Sequence, residues 1–145
     1  IVDASNIERN LYLTLQLIEM GANVVVALNK MDLAKSKGYK IDVRKLSAEL
    51  GVPVVPMVAI KGEGIDDLKN TIIHASKTQR IPIIKYSDGI EKYIEFLESK
   101  VVENSILPEY PSRFVAIKLL ELDEEILNRA GIREEVVREW ISSVS

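Results

Sequence analysis

Cysteine is absent from the 145 residues, and histidine occurs once, as His74. These absences exclude disulfides, thiolate metal sites, a cysteine nucleophile and any histidine cluster for a metal. No apolar run approaches the roughly 18 to 20 residues of a membrane-crossing helix. An excess of basic charge is missing too. The formal net charge is -3, which gives no support to a nucleic-acid backbone as partner. What remains is 47% hydrophobic and 28% charged, a globular balance, and long enough for one ordinary domain or two small ones.

The chain opens on Ile1-Val2-Asp3 without an initiator methionine. Ile1-Val2 reads as the end of a strand already under way, so a piece of a longer protein is expected. Ser5-Asn6-Ile7-Glu8 has the form of a capping box. Ile7, Leu11, Leu15 and Ile18 then recur at helical spacing, and Gly21 is a natural stop. Val24 to Leu28 is apolar throughout, as a strand covered on both faces should be. Residues 33 to 41 read as a loop. Asp42 is placed to cap a short helix that Gly51 ends. Val52 to Val58 is a second strand run, and Pro53 and Pro56 place it near a sheet edge. After the tight loop Lys61-Gly62-Glu63-Gly64, a helix from Ile65 to Lys77 is expected with Leu68, Ile72 and Ile73 inward. Strand and helix alternate, which predicts an α/β unit with a parallel sheet.

Beyond Arg80 the pattern changes. Ile81-Pro82-Ile83-Ile84 reads as linker. Helical spacing resumes at Ile90, Tyr93, Ile94, Leu97 and Val101, and further helices are expected from Pro111-Ser112, from Asp123 to Gly131, and from Glu134 to Ser143. Residues 1–80 and 81–145 are therefore expected as two domains, the second all-helical.

The first strand run leads straight into Asn29-Lys30-Met31-Asp32. Ligands of parallel sheets bind at the carboxyl ends of strands. A guanine base presents two donors on one edge, its ring imino N–H and its exocyclic amino group. A carboxylate presents two acceptors at matching separation, so Asp32 is the candidate reader of guanine. Adenine lacks this donor pair. Asn29 is the candidate for the purine's other edge and for bracing neighbouring loops, and the Lys30 stem for covering the base face. This is the Asn-Lys-x-Asp signature of the G-protein superfamily. A helix-start loop with a capping aspartate is the bland explanation of the tetrapeptide. A second base loop at the next strand end weighs against it. The superfamily's Ser-Ala-x there reads Val58-Ala59-Ile60. The backbone N–H of Ala59 is expected to donate to the guanine carbonyl, with Ile60 and Lys61 flanking the base. Val58 cannot make the usual serine's bracing hydrogen bond, so weaker or faster-exchanging nucleotide is expected.

The phosphate side is missing. No Gly-x-x-x-x-Gly-Lys-Ser/Thr and no Asp-x-x-Gly occur, before or after the base loops. Groups for phosphate and Mg²⁺ are expected upstream of Ile1, and this chain alone should not hydrolyse GTP.

Asp3-Ala4-Ser5-Asn6-Ile7-Glu8-Arg9-Asn10-Leu11-Tyr12-Leu13-Thr14 resembles a stretch of the ferrous iron transport protein B family. Gly51-Val52-Pro53-Val54-Val55-Pro56, Lys61-Gly62-Glu63-Gly64-Ile65 and Ser112-Arg113-Phe114-Val115-Ala116-Ile117-Lys118-Leu119-Leu120-Glu121 are similar to the same family. The resemblance implies the second half of a P-loop-GTPase-like domain in residues 1–80. Residues 81–145 would be a helical domain that slows nucleotide release. It implies GTP and GDP as ligands, Mg²⁺ only together with the N-terminal half of the G domain, and that half and a membrane permease as partners. The location implied is the cytoplasmic side of the cell membrane, with no nucleic-acid partner, and a homo-oligomer is left open. No iron ligand is implied here.

Two rivals stand beside this reading, a soluble GTPase of the ribosome-assembly or tRNA-modification type, and an interaction module that binds no nucleotide. Capping explains Asp3, Asn6, Glu8 and Arg9, the helix dipole explains Asp66-Asp67, and a solvated face explains Glu121, Asp123, Glu124 and Glu125.

Overall fold

Val26 to Leu28 are apolar in succession because both faces of their strand are covered. The computed structural model describes residues 1–78 and 83–144. It divides into two units, Ile1–Ile84 and Lys85–Ser145. In the first, strands β1 (Val2–Asp3), β2 (Val26–Asn29) and β3 (Val54–Pro56) form a parallel sheet in the order β1-β2-β3. Val2 pairs with Leu28, and Val26 with Val54. Parallel neighbours need crossovers. Helix α1 (Ile7–Glu19) makes the first, and α2 (Met31–Ser36) with α3 (Val43–Leu50) the second, while α4 (Ile65–Lys77) follows β3.

The period of two in β2 separates its two covers. Val26 and Leu28 join Val2, Ile18, Ala34 and Leu50 in one cluster, with Leu11, Leu15 and Leu46 packed against it. Ala27 joins Val55 and Met57 on the other face, where Ile65 and Leu68 of α4 pack. Leu28 and Ile18 are fully buried, each stabilising the fold by about 1.5–3 kcal/mol. The prolines behave as their chemistry requires. Pro56 closes the outer strand β3, and Met57 takes over donation by giving its N–H to the Leu28 carbonyl at 2.8 Å.

Three expectations are corrected. The capping box at Ser5 does not form. Asp3 Oδ1 accepts both the backbone N–H of Ser5, at 2.9 Å, and its hydroxyl, at 2.7 Å. The charged acceptor two residues upstream captures the serine. Ala4–Asn6 makes a 3-10 turn, and α1 begins without a side-chain cap. The segment read as loop from residue 33 begins inside helix α2, which at six residues is too short to display helical periodicity. On α4, Leu68 faces the sheet, but Ile72 and Ile73 are exposed (49% and 54%). Leu68, Ile72 and Ile73 span more of the helix circumference than one face of three short strands covers.

The remaining caps follow the sequence. Asp42 accepts the Lys45 N–H at 3.0 Å to start α3, and Gly51 ends it at φ 68°.

In the second unit, α5 (Asp88–Glu103), α6 (Ser112–Leu120), α7 (Glu124–Ala130) and α8 (Glu134–Ser142) enclose one apolar core. Helix α6 is buried nearly all round, from Phe114 to Leu119, and packs on α5, α7 and α8. Two of its basic residues form ion pairs. Arg113 meets Glu91 of α5 at 2.8 Å. The buried Lys118 reaches the Glu121 carboxylate at 2.7 Å, with Asp123 at 4.0 Å. Asp123 also caps α7 by accepting the Ile126 N–H, so part of the expected acidic face serves internal contacts. Of the segment read as linker, Ile81 and Pro82 lie outside the described residues. Ile84 packs with the first unit.

Candidate guanine-binding site

Two strand ends lie side by side because β2 and β3 are parallel neighbours. Each delivers one of the expected base loops. Asn29 is the last residue of β2, Lys30 then turns at φ 61°, and Met31 begins α2. A left-handed conformation at a lysine is strained. It turns the chain from strand into helix within one residue, which holds Asn29 and Asp32 on consecutive rigid elements. After β3, Ala59–Lys61 forms a 3-10 turn. The loop is closed on itself by the Val58–Glu63 bridge, whose two backbone bonds are 3.1 and 3.3 Å.

The loops are tied to each other. Asn29 Oδ1 accepts the backbone N–H of Ala59 at 3.0 Å. The Met31 N–H donates to the Met57 carbonyl at 3.2 Å. The loop-bracing expected of Asn29 is therefore present. The same bond engages the donor expected of Ala59. Its N–H, expected to wait for a guanine carbonyl, is held by Asn29. A side-chain acceptor that close satisfies a donor which would otherwise face solvent.

Asp32 lies in the first turn of α2. Its Oδ1 accepts the Leu33 N–H at 2.9 Å, and its Oδ2 meets the Lys61 ammonium at 3.1 Å. Lys61 first, and then the Leu33 N–H, lower the Asp32 pKa from its ordinary value. Asp32 is thus a carboxylate over the whole physiological range, as an acceptor pair must be. Ile60 projects at 92% exposure from the Ala59–Lys61 turn that carries Lys61. Lys61, expected beside the base, pairs with the carboxylate expected to read it.

A further residue enters that motif reading assigned only to strand-end capping. Lys30 Nζ lies 2.6 Å from Asp3 Oδ2, which ties the end of β1 to the base loop. Asp3 is drawn from the ordinary 3.8 down to about 2, chiefly by Lys30 and then by Ser5. Its placement at the end of a strand that pairs with Asn29 was the available signal. A depressed folded-state pKa stabilises above the unfolded value and is lost as pH falls through the folded one. The deficit of an Asp3→Asn variant, measured by thermal unfolding, is expected to stay constant above pH 3.8 and to vanish as pH approaches about 2.

Among the described residues no group of three acidic or histidine side chains is arranged to hold a metal ion. No helix there is long and apolar enough to cross a membrane.

Known proteins resemble this chain in sequence and fold. The family model for ferrous iron transport protein B matches residues 1–72, and that for the FeoB cytosolic helical domain matches residues 86–144. An Fe(2+) transport protein A/Fe(2+) transporter FeoB fusion protein of Porphyromonas gingivalis is 47% identical over 136 residues, 90% of this chain and 16% of that protein. The Fe(2+) transporter FeoB of Escherichia coli K12 is 40% identical over 123 residues, 85% of this chain and again 16% of that protein. This chain thus spans about one sixth of the length of these relatives. A crystal structure of a GDP-bound S. thermophilus NFeoB mutant superposes with a TM-score of 0.81 at 39% identity, covering 98% of this chain and 56% of that one. The three-strand unit with its two strand-end loops and the helical unit that follows are matched in turn by the two models, and the chain belongs to the ferrous iron transport protein B family.

Proposed function

We propose that residues 1–80 are the guanine-recognising half of a GTPase domain, and residues 81–145 a helical domain that slows nucleotide release. In this reading Asp32 receives the imino and amino donors of guanine. Asn29 presents its amide to the other purine edge. Ala59 turns its N–H from Asn29 to the guanine carbonyl. The stem of Lys30 covers one face of the base, and Ile60 and Lys61 lie at its flank. The observation that carries the reading is the Asn29–Ala59 hydrogen bond at 3.0 Å, which ties the two strand-end loops to each other. The GDP held by the structural neighbour supports the same ligand class.

The phosphates and their Mg²⁺ are assigned to sequence upstream of these residues. The described residues lack a cluster of three metal-ligating side chains. No hydrolytic residue is assigned within this chain. In the complete protein, GTP binding and hydrolysis would regulate ferrous iron uptake through a membrane permease, with this segment on the cytoplasmic side. The relatives' designation as Fe(2+) transporters supports that assignment.

Titration of the complete protein with fluorescent GDP and fluorescent ADP tests the base reading. GDP is expected to bind at least about a hundred-fold more tightly, because adenine offers the Asp32 carboxylate no donor pair. Equal affinity would sink the guanine assignment.

A further inference from the structure

Both oxygens of the Asp32 carboxylate already have partners in the chain. Oδ1 holds the Leu33 N–H, and Oδ2 holds the Lys61 ammonium. We propose that Lys61 is a latch on the guanine-reading carboxylate, so that a base is bound by replacing an internal cation rather than by filling a free acceptor. The proposal rests on Asp32 being the reader.

The two partners differ in what they oppose to a base. Leu33 donates from the helix backbone and stays in place. An ionised carboxylate oxygen has a second lone pair, so this bond and a base donor are compatible. Lys61 is different. Its ammonium carries a full charge, and its four-carbon stem is flexible and 54% exposed. It is the partner that moves. Its backbone, by contrast, is well placed. The Lys61 N–H donates to the Val58 carbonyl at 2.9 Å, and the Val58–Glu63 bridge closes the loop around it. A fixed backbone with a mobile, charged tip next to a ligand-reading group has the construction of a latch. The residue that opens this loop offers no substitute. Val58 is buried and has no polar side-chain atom with which to anchor Asp32.

The chemistry gives the latch a direction. Guanine returns two donors to the carboxylate in exchange for the lysine. Adenine would break the ion pair and present no matching donor pair. Lys61 therefore lowers affinity by the same factor for every base that must displace it, and only guanine returns a donor pair to the carboxylate in its place.

The test is a Lys61→Met variant of the complete protein, which keeps the length of the stem and removes the charge. Exposed ion pairs of this kind correspond to about a two- to five-fold change in an equilibrium constant. GDP affinity and association rate are expected to rise by about that factor. ADP should gain by no more than the same factor, so the GDP-to-ADP ratio does not fall. The gain should shrink between about 0.05 and about 0.5 M salt, where the wild-type pair becomes screened. In an Asp32→Asn background Lys61→Met should change nothing. Unchanged or weaker GDP binding by Lys61→Met overturns the latch, and so does a gain that persists in the Asp32→Asn background. Xanthosine diphosphate separates this failure from failure of the underlying reading. If Asp32→Asn gains xanthosine diphosphate while Lys61→Met gains nothing, the latch is wrong and the reader stands. If Asp32→Asn keeps its preference for GDP, the reader is wrong, and the latch falls with it.

Discussion

Asp32→Asn is expected to turn base preference from guanine towards xanthine. The carboxylate offers two acceptors, and guanine brings two donors. The amide keeps one acceptor and replaces the other by an N–H. Against guanine that N–H meets the exocyclic amino group, donor against donor. Against xanthine it meets a carbonyl oxygen and a hydrogen bond forms. The cost for GDP combines one lost charge-assisted bond with one unpaired donor at each side, about 3–4 kcal/mol. This is on the order of a hundred- to a thousand-fold in affinity. Xanthosine diphosphate should recover a large part of it. The fold should tolerate the change, because the amide oxygen remains able to accept the Leu33 N–H that Asp32 Oδ1 accepts now. Competition of GDP and xanthosine diphosphate for a fluorescent nucleotide on the purified complete protein reads the switch directly. Undiminished GDP binding would show that another group reads the base.

Gly64→Ala is expected to give the largest loss of stability among substitutions at the base loops. Gly64 has φ 83°, and a Cβ there would lie 2.4 Å from the Pro56 carbonyl oxygen, with Met57 Cγ at 3.1 Å. The first of these is backbone at the end of β3 and has no rotamer by which to withdraw. The left-handed conformation alone costs an alanine about 1–2 kcal/mol. Displacing the strand end adds to this, for a total of about 3 kcal/mol or more. Gly62 supplies the internal control. It has φ 73°, but nothing lies within 4 Å of its Cβ position, so Gly62→Ala should cost only the about 1–2 kcal/mol of the left-handed backbone. Because Gly64 follows directly on the Val58–Glu63 bridge, the loop carrying Ala59 should shift, and GDP affinity should fall together with melting temperature. Equal melting temperatures for the two alanine variants would contradict this account.

Much of the molecule was legible because its signals are local. The run Val24–Leu28 announced a strand with two covered faces, and β2 is that strand. Asp42, Gly51, Asp123 and Gly131 act at the helix ends where their chemistry placed them. What was missed has two causes. Helix α2 and the capture of Ser5 by Asp3 depend on single turns, over which periodicity carries no information. The exposure of Ile72 and Ile73 depends on how much cover a three-strand sheet provides, which no helical pattern contains.

By itself the sequence determined the alternation of strands and helices, the helical second unit, and the residue types Asn29, Lys30, Asp32 and Ala59 at two strand ends. Only the tertiary structure decided how those residues are engaged. Lys30 with Asp3 joins positions 27 apart, and Ala59 with Asn29 positions 30 apart. Lys61 with Asp32 likewise crosses from one loop to the other. Local spacing cannot encode such pairs. They exist because parallel pairing of β1, β2 and β3 brings three carboxyl ends to one edge of the sheet, where opposite charges and unfilled donors meet within hydrogen-bonding distance.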